Sequence, residues 1–142
     1  MSTSLYLSQS YFDSWSDYQR SLNTPTFPVW DYIILTASNK HQAISFELQI
    51  QARKSYLPQN TVFAVISDEG GVRVGSGGAT LSVLKYLHEE AEKRGDQSGW
   101  AGRRILVIHS GGDSKRVPQY SALGKLFSPV PHELPDGRSS TL

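Results

Sequence analysis

The chain has no cysteine and no apolar stretch long enough to cross a membrane. Without cysteine it cannot form disulfides, thiolate metal sites or a cysteine nucleophile. Its 14 lysines and arginines nearly balance 13 aspartates and glutamates, which leaves a formal net charge of +1. No overall field therefore attracts nucleic acid or an anionic membrane. The amino terminus also lacks the basic and apolar regions of a signal peptide. These absences favour a cytoplasmic protein that binds neither nucleic acid nor membranes.

Metal-ligand and triad patterns are also missing. The four histidines show no paired metal-ligand spacing. We interpret His109, at the end of an apolar run, as a packed or hydrogen-bonded residue and not as an acid or base. Ser110 lacks the G-x-S-x-G pattern of a nucleophilic serine, so no Ser-His-Asp triad is predicted.

The sequence does contain an alternation of apolar strands and amphipathic helices. Strands are predicted at residues 30–37, 61–67 and 104–109, and helices at residues 41–56 and 80–94. Because β-α-β units cross over right-handedly, these strands should be parallel. The pattern predicts an α/β fold with an incomplete doubly wound, mostly parallel sheet.

Each of the two helices between strands has an apolar stripe that predicts its contact with the sheet. The predicted inward-facing positions are Ala43, Ile44, Phe46, Leu48 and Ile50 on the first of these helices, and Leu81, Leu84, Leu87 and His88 on the second.

A further helix is predicted before the sheet, at residues 10–22, where aromatic side chains recur at helical spacing. Such a stripe is more often a packing surface than a carbohydrate-stacking platform, so we interpret it as a docking helix. Pro25 and Pro28 end it. We therefore expect residues 1–28 to form a helix and linker, and residues 29–142 to belong to one globular domain.

Two glycine-rich segments follow predicted strands, at the sheet edge where α/β proteins bind ligands. The first, residues 75–78, is named here the glycine segment. The second, residues 111–125, is named the basic loop because it begins Gly-Gly and contains three cations. Glycines let backbone N–H groups approach an anion, and a helix amino terminus favours phosphate. The glycine segment fits neither G-x-G-x-x-G nor a P-loop, and taken alone it is more often a tight turn.

Residues 109–125, HSGGDSKRVPQYSALGK, resemble the signature loop of the L-fucokinase/GDP-L-fucose pyrophosphorylase family, a group of sugar-nucleotide pyrophosphorylases. Residues 73–84, RVGSGGATLSVL, resemble the Gly-Ser-Gly-Gly segment that precedes this loop in the family. Ser110 stands where alanine is usual, and Val117 where leucine is common. The resemblance covers roughly residues 30–131. It implies a Rossmann-like fold of the nucleotide-diphospho-sugar transferase type.

The resemblance also implies a reaction, in which GTP and L-fucose 1-phosphate give GDP-L-fucose and pyrophosphate. Arg116 and Lys125 are the expected catalytic residues, because cations neutralise charge on the phosphates during such transfers. Lys115 is equally well interpreted as a solvated loop cation. Asp113 could approach a metal, but such a residue is more often a side chain that holds its own turn. The expected nucleotide-binding residues are Gly75, Ser76, Gly77, Gly78, Gly111, Gly112, Asp113, Ser114 and Lys115.

Mg²⁺ is expected by resemblance, although its ligands are not identifiable in this chain. Members of the family are several times longer and often carry a sugar-kinase domain. We therefore expect a fragment that needs the missing carboxyl-terminal region or a complementing chain. Two other hypotheses stay open: a non-catalytic α/β module that binds a nucleotide or a partner, and a fragment of a sugar kinase.

Overall fold

The structure, a computed structural model, describes residues 3–24, 29–68, 70, 72–110, 125–133, 137 and 139–141. Its helices are α1 (Thr3–Asn23), α2 (Lys40–Ala52) and α3 (Gly75–Lys93), with short 3-10 helices at Lys54–Tyr56 and Lys125–Phe127. Its strands are β1 (Tyr32–Ala37), β2 (Val62–Ser67), β3 (Ile105–His109), β4 (Pro129–Glu133) and β5 (Ser139–Thr141).

Three of these strands form an all-parallel sheet in the order β2-β1-β3. The chain passes from β1 to β2 on one side, and then returns across β1 to form β3 on the other. This reversal is the switch point of a doubly wound sheet, so the predicted α/β class is confirmed. Strands β4 and β5 form a separate antiparallel pair.

The sheet is covered by helices on both faces, because successive side chains of a strand point in opposite directions. On one face, Tyr32 and Ile34 of β1 pack in a buried cluster with Val83 and Leu87 of α3. On the other face, the buried cluster consists of Leu35, Ala37, Ala43 and Phe46, the last two from α2. β1 therefore lies at the centre of both halves of the core.

Helix α2 begins where a side chain caps it. Asn39 Oδ1 accepts a hydrogen bond from the Gln42 backbone N–H at 3.0 Å, which satisfies one of the amide groups that a helix start leaves without a partner. The helix ends at Ala52, whereas the sequence predicted residue 56. The last predicted turn is a separate 3-10 helix.

The predicted apolar face of α2 is correct only in part. Ala43 and Phe46 are buried, but Ile44 and Leu48 are 53% and 64% exposed. They line a shallow groove with Phe63 and Val65 beside the edge strand β2. Of the two adjacent apolar stripes on this helix, only the Ala43–Phe46 stripe is buried against the sheet.

Helix α3 also differs from its prediction. It begins at Gly75, so residues 75–78 form its first turn and do not precede it. Its buried side chains are Ala79, Val83, Leu87 and Ala91, whereas the predicted Leu81 is 68% exposed and His88 is exposed. Alanines at both ends of this i, i+4 stripe let the helix lie close to the sheet. Hydrophobicity alone therefore did not select the buried face.

Helix α1 confirms the predicted amino-terminal helix but begins at Thr3 instead of residue 10. Tyr11 and Tyr18, two of the aromatic residues that form the predicted packing stripe with Trp15, are exposed. The Trp15 and Tyr18 rings contact each other, with centroids 5.2 Å apart. Two of the three aromatic residues of the predicted packing surface are therefore exposed, whereas Trp15 is half-buried. None of the described helices combines the length and apolarity that a membrane span requires.

The loop that leads into β3 is held by carboxylates. Asp31 Oδ2 accepts a hydrogen bond from the Arg104 backbone N–H at 2.8 Å. Asp96 accepts hydrogen bonds from the hydroxyl and the backbone N–H of Ser98, and its other oxygen lies 3.4 Å from Arg103 Nη2. The Ser98 side-chain hydrogen bond, then its backbone hydrogen bond and then Arg103, lower the pKa of Asp96.

This lowered pKa predicts a pH dependence. The Asp96 carboxylate should stabilise the folded chain above the pKa of the unfolded aspartate, about 3.9, and this contribution should disappear as the pH falls through the lower, folded pKa. In urea titrations, Asp96→Asn should be less stable than the wild-type chain at pH 7. The difference should shrink as the pH falls below the unfolded pKa and disappear below the folded pKa. A difference that stays constant over this range would contradict the prediction.

Candidate functional site

The candidate site lies at the carboxyl ends of β1 and β3, beside the switch point of the sheet. Parallel α/β sheets bind ligands at such points, because diverging connections leave a crevice there. Thr36 of β1 and His109 of β3 are register partners at this edge. Helix α3 contributes its amino-terminal turn.

The glycine segment forms this first turn of α3. Gly75 has a φ of +71°, a backbone conformation that favours glycine. The preceding residue, Val74, makes no side-chain capping hydrogen bond, and the first turn contains no acidic residue. Amide groups at an uncapped helix start carry partial positive charge and suit an anion such as phosphate.

Two glycines of this turn differ in what they do. A Cβ on Gly78 would lie 2.5 Å from the Cβ of Val74, so Gly78 is required by packing. A Cβ on Gly77 would meet no atom of the described residues within 4 Å, and its φ is not positive. Glycine inside a helix costs about 1 kcal/mol relative to alanine. Packing against the described residues does not account for glycine at Gly77, whereas close approach of a ligand would.

His109 connects the strands to this turn. Its Nδ1 lies 3.4 Å from Thr36 Oγ1 and its Nε2 lies 3.3 Å from Thr80 Oγ1. The neighbouring Ser110 hydroxyl donates to the Thr36 backbone carbonyl at 2.8 Å. The interpretation of His109 as a hydrogen-bonded residue is confirmed, and the chain entering the basic loop is attached to β1.

Lys125 lies at the other end of the basic loop. It is exposed and begins the 3-10 helix Lys125–Phe127. Phe127 anchors this helix, with its ring centroid 5.5 Å from that of Phe46 and the Arg53 guanidinium 5.3 Å from the same ring. These contacts place the helix on the α2 face of the sheet.

The structure thus attaches the two ends of the site to opposite faces of the sheet. The glycine segment belongs to the α3 face and Lys125 to the α2 face. The other predicted site residues, namely Gly111, Gly112, Asp113, Ser114, Lys115 and Arg116, lie outside the described residues. Their roles remain predictions.

No described part of the chain brings together three or more histidine, aspartate or glutamate side chains that could hold a metal ion. The described residues therefore do not fit a resident Mg²⁺ site. The expectation of Mg²⁺ rests on the resemblance alone.

Comparison with known proteins identifies the family. Residues 97–142 match the fucose pyrophosphorylase domain. The chain is 35% identical over 145 residues to a bifunctional fucokinase/GDP-fucose pyrophosphorylase of Arabidopsis thaliana. The alignment covers 87% of this chain and 14% of that protein. The chain is related in sequence to the fucose pyrophosphorylase family. The predicted relationship is confirmed.

Other members of the family align over shorter stretches. A fucose-1-phosphate guanylyltransferase of Mus musculus is 36% identical over 104 residues, which cover 72% of this chain and 17% of that protein. An L-fucokinase/L-fucose-1-P guanylyltransferase of Bacteroides fragilis is 35% identical over 66 residues, or 46% of this chain and 7% of that protein. The chain spans less than a fifth of the length of each of these three relatives. No solved structure matches it.

Sequence reasoning missed the contacts of Thr36 and Thr80 with His109. A signal for one of them was present. Thr36 and His109 are polar residues near the ends of two apolar strands, and the alternation of strand side chains places them on the same face. The contact with Thr80 depended on where α3 begins, which the sequence placed five residues too late.

Proposed function

We propose that this chain is the nucleotide-binding part of a fucose-1-phosphate guanylyltransferase. The observation that carries the proposal is the glycine-containing first turn of α3, which Val74 does not cap and which lies beside the end of β3 in a relative of this family. The amides of this turn would bind a phosphate group of GTP. The basic loop would enclose the rest of the triphosphate.

The proposed reaction needs positioning more than covalent catalysis. A phosphate oxygen of L-fucose 1-phosphate attacks the α-phosphorus of GTP, the bond to the bridging oxygen of the β-phosphate breaks, and pyrophosphate leaves. Arg116 would hold two phosphate oxygens through its planar guanidinium, which stays charged. Lys125 would neutralise further charge. We assign L-fucose 1-phosphate binding to the part of the longer relatives that this chain does not include.

Ligand-induced stabilisation tests the proposal on the 142-residue chain. A ligand at about 100 times its dissociation constant stabilises the folded state by about 2.7 kcal/mol. For a domain of this size that corresponds to a rise of about 5–10 °C in the melting temperature. We expect millimolar GTP with Mg²⁺ to produce such a rise and ATP to produce a smaller one.

Gly77→Ala is the matched variant for this measurement. Alanine has the higher helix propensity and meets no neighbour at this position, so the chain alone should melt at the same temperature or slightly higher. The added methyl group should obstruct the phosphate and reduce the rise that GTP causes. An equal rise in both proteins would remove the glycine segment from the proposed site. A larger rise with ATP would favour a sugar-kinase fragment.

A further inference from the structure

The hydroxyl group of Thr36 is buried where β1 ends. The residue is only 4% exposed, and buried hydroxyl groups need hydrogen-bond partners. Its side-chain partner among the described residues is His109 Nδ1. The other nitrogen of the same ring faces Thr80 in the second turn of α3.

The hydrogen bonds of Thr80 determine which ring nitrogen carries the proton. The Thr80 hydroxyl donates its only hydrogen to the Ser76 carbonyl at 2.9 Å, so towards His109 it can only accept. Nε2 must then carry the hydrogen. In the neutral ring Nδ1 is left with a lone pair, and it accepts the hydrogen of the Thr36 hydroxyl.

We propose that His109 is a positioning residue, held as the Nε2–H tautomer, that ties the glycine segment to the end of β1. The chain of hydrogen bonds runs from Thr36 through His109 and Thr80 to the carbonyl of Ser76. Since Ser76 belongs to the glycine segment and His109 ends β3, one side chain sets the spacing between the glycine segment and the carboxyl end of β3. The relevance of this spacing to GTP rests on the proposed function.

The tautomer is measurable without any ligand. Long-range ¹H–¹⁵N correlation spectra of the 142-residue chain distinguish the two neutral forms of a histidine. The proposal expects the Nε2–H form for His109, and a changed chemical shift of Nε2 in Thr80→Val, which removes the accepting oxygen and keeps the shape of the side chain. An Nδ1–H form in the wild-type chain, or no response to Thr80→Val, would overturn the proposal.

A pair of amide variants tests the positioning. The side chain of His109→Gln places its amide near the position of Nε2 and can still donate to Thr80, whereas the shorter side chain of His109→Asn reaches only the position of Nδ1. We expect GTP to bind about fivefold more weakly to the asparagine variant than to the glutamine variant, the effect of one ordinary hydrogen bond. Backbone amides of residues 79–82 should also exchange faster in the asparagine variant.

The melting temperatures of the two unliganded variants serve as the control. A purely structural loss of the imidazole ring would lower the two melting temperatures by similar amounts. Equal affinities for GTP together with equal amide exchange would overturn the positioning role. If the wild-type chain does not bind GTP at all, the proposed function fails. The tautomer and the exchange rates then still decide whether His109 positions α3.

Discussion

Replacing Phe46 with alanine is expected to lower the free energy of unfolding by about 3–5 kcal/mol, the usual cost of removing a buried aromatic ring. Phe46 is 0% exposed and packs in one cluster with Leu35, Ala37 and Ala43, and against the ring of Phe127. Domains are commonly stable by only about 5–15 kcal/mol. Urea denaturation followed by circular dichroism should therefore show a much earlier midpoint, or a chain that is unfolded without denaturant.

Leu48→Ala is the control on the same helix. Leu48 is 64% exposed, and exposed substitutions usually change stability by less than about 0.5 kcal/mol. If both variants lost several kcal/mol, the Ile44 and Leu48 stripe would face the core in solution. That result would restore the prediction made from the sequence and contradict the observed orientation of α2.

Replacing Arg116 with alanine is expected to reduce the turnover number of GDP-fucose formation by about 100- to 1000-fold, as loss of a group that stabilises transition-state charge does elsewhere. The proposal places its guanidinium on two oxygens of the triphosphate, where charge develops as the α-phosphorus is attacked. The measurement requires a full-length protein that contains this chain, with GTP, L-fucose 1-phosphate and detection of released pyrophosphate.

Lys115→Ala is the neighbouring control and should cost only a few-fold, because a lysine in this loop is equally well explained as a solvated cation. Arg116→Lys should recover only part of the activity, since it keeps the charge but not the planar pair of donors. Unchanged turnover in Arg116→Ala would exclude the assigned role. A weakened affinity for GTP in a protein without turnover would favour the non-catalytic module.

Much of the fold could be predicted because β-strands are local patterns. The apolar runs in β1, β2 and β3 were identified to within two residues, and their alternation with helices was enough to predict parallel pairing. The apolar spacing along α2 and α3 also placed Phe46 and Leu87 in the core correctly. The family resemblance was recognisable from the basic loop and the glycine segment. Their motifs can be identified from the order of residues without knowledge of any tertiary contact.

The wrong predictions concern helix faces and a helix start where two local patterns fitted the sequence equally well. On α2, two apolar stripes lie side by side, and hydrophobicity alone does not distinguish them. On α3, Leu81 is more hydrophobic than Ala79, yet Ala79 is the buried residue. Glycines usually disfavour a helix interior, so the first turn of α3 was predicted to lie before the helix.

The sequence by itself determined the α/β class, the parallel pairing of the three strands and the family relationship. These follow from residue types that recur periodically or stand in a fixed order along the chain. Only the tertiary structure decided which helical stripe meets the sheet, since that choice depends on how closely each helix can approach its neighbours. It also decided the contact of His109 with Thr36 and Thr80. Those residues are 73 and 29 positions away from His109 along the chain, and packing of α3 against the sheet brings them together.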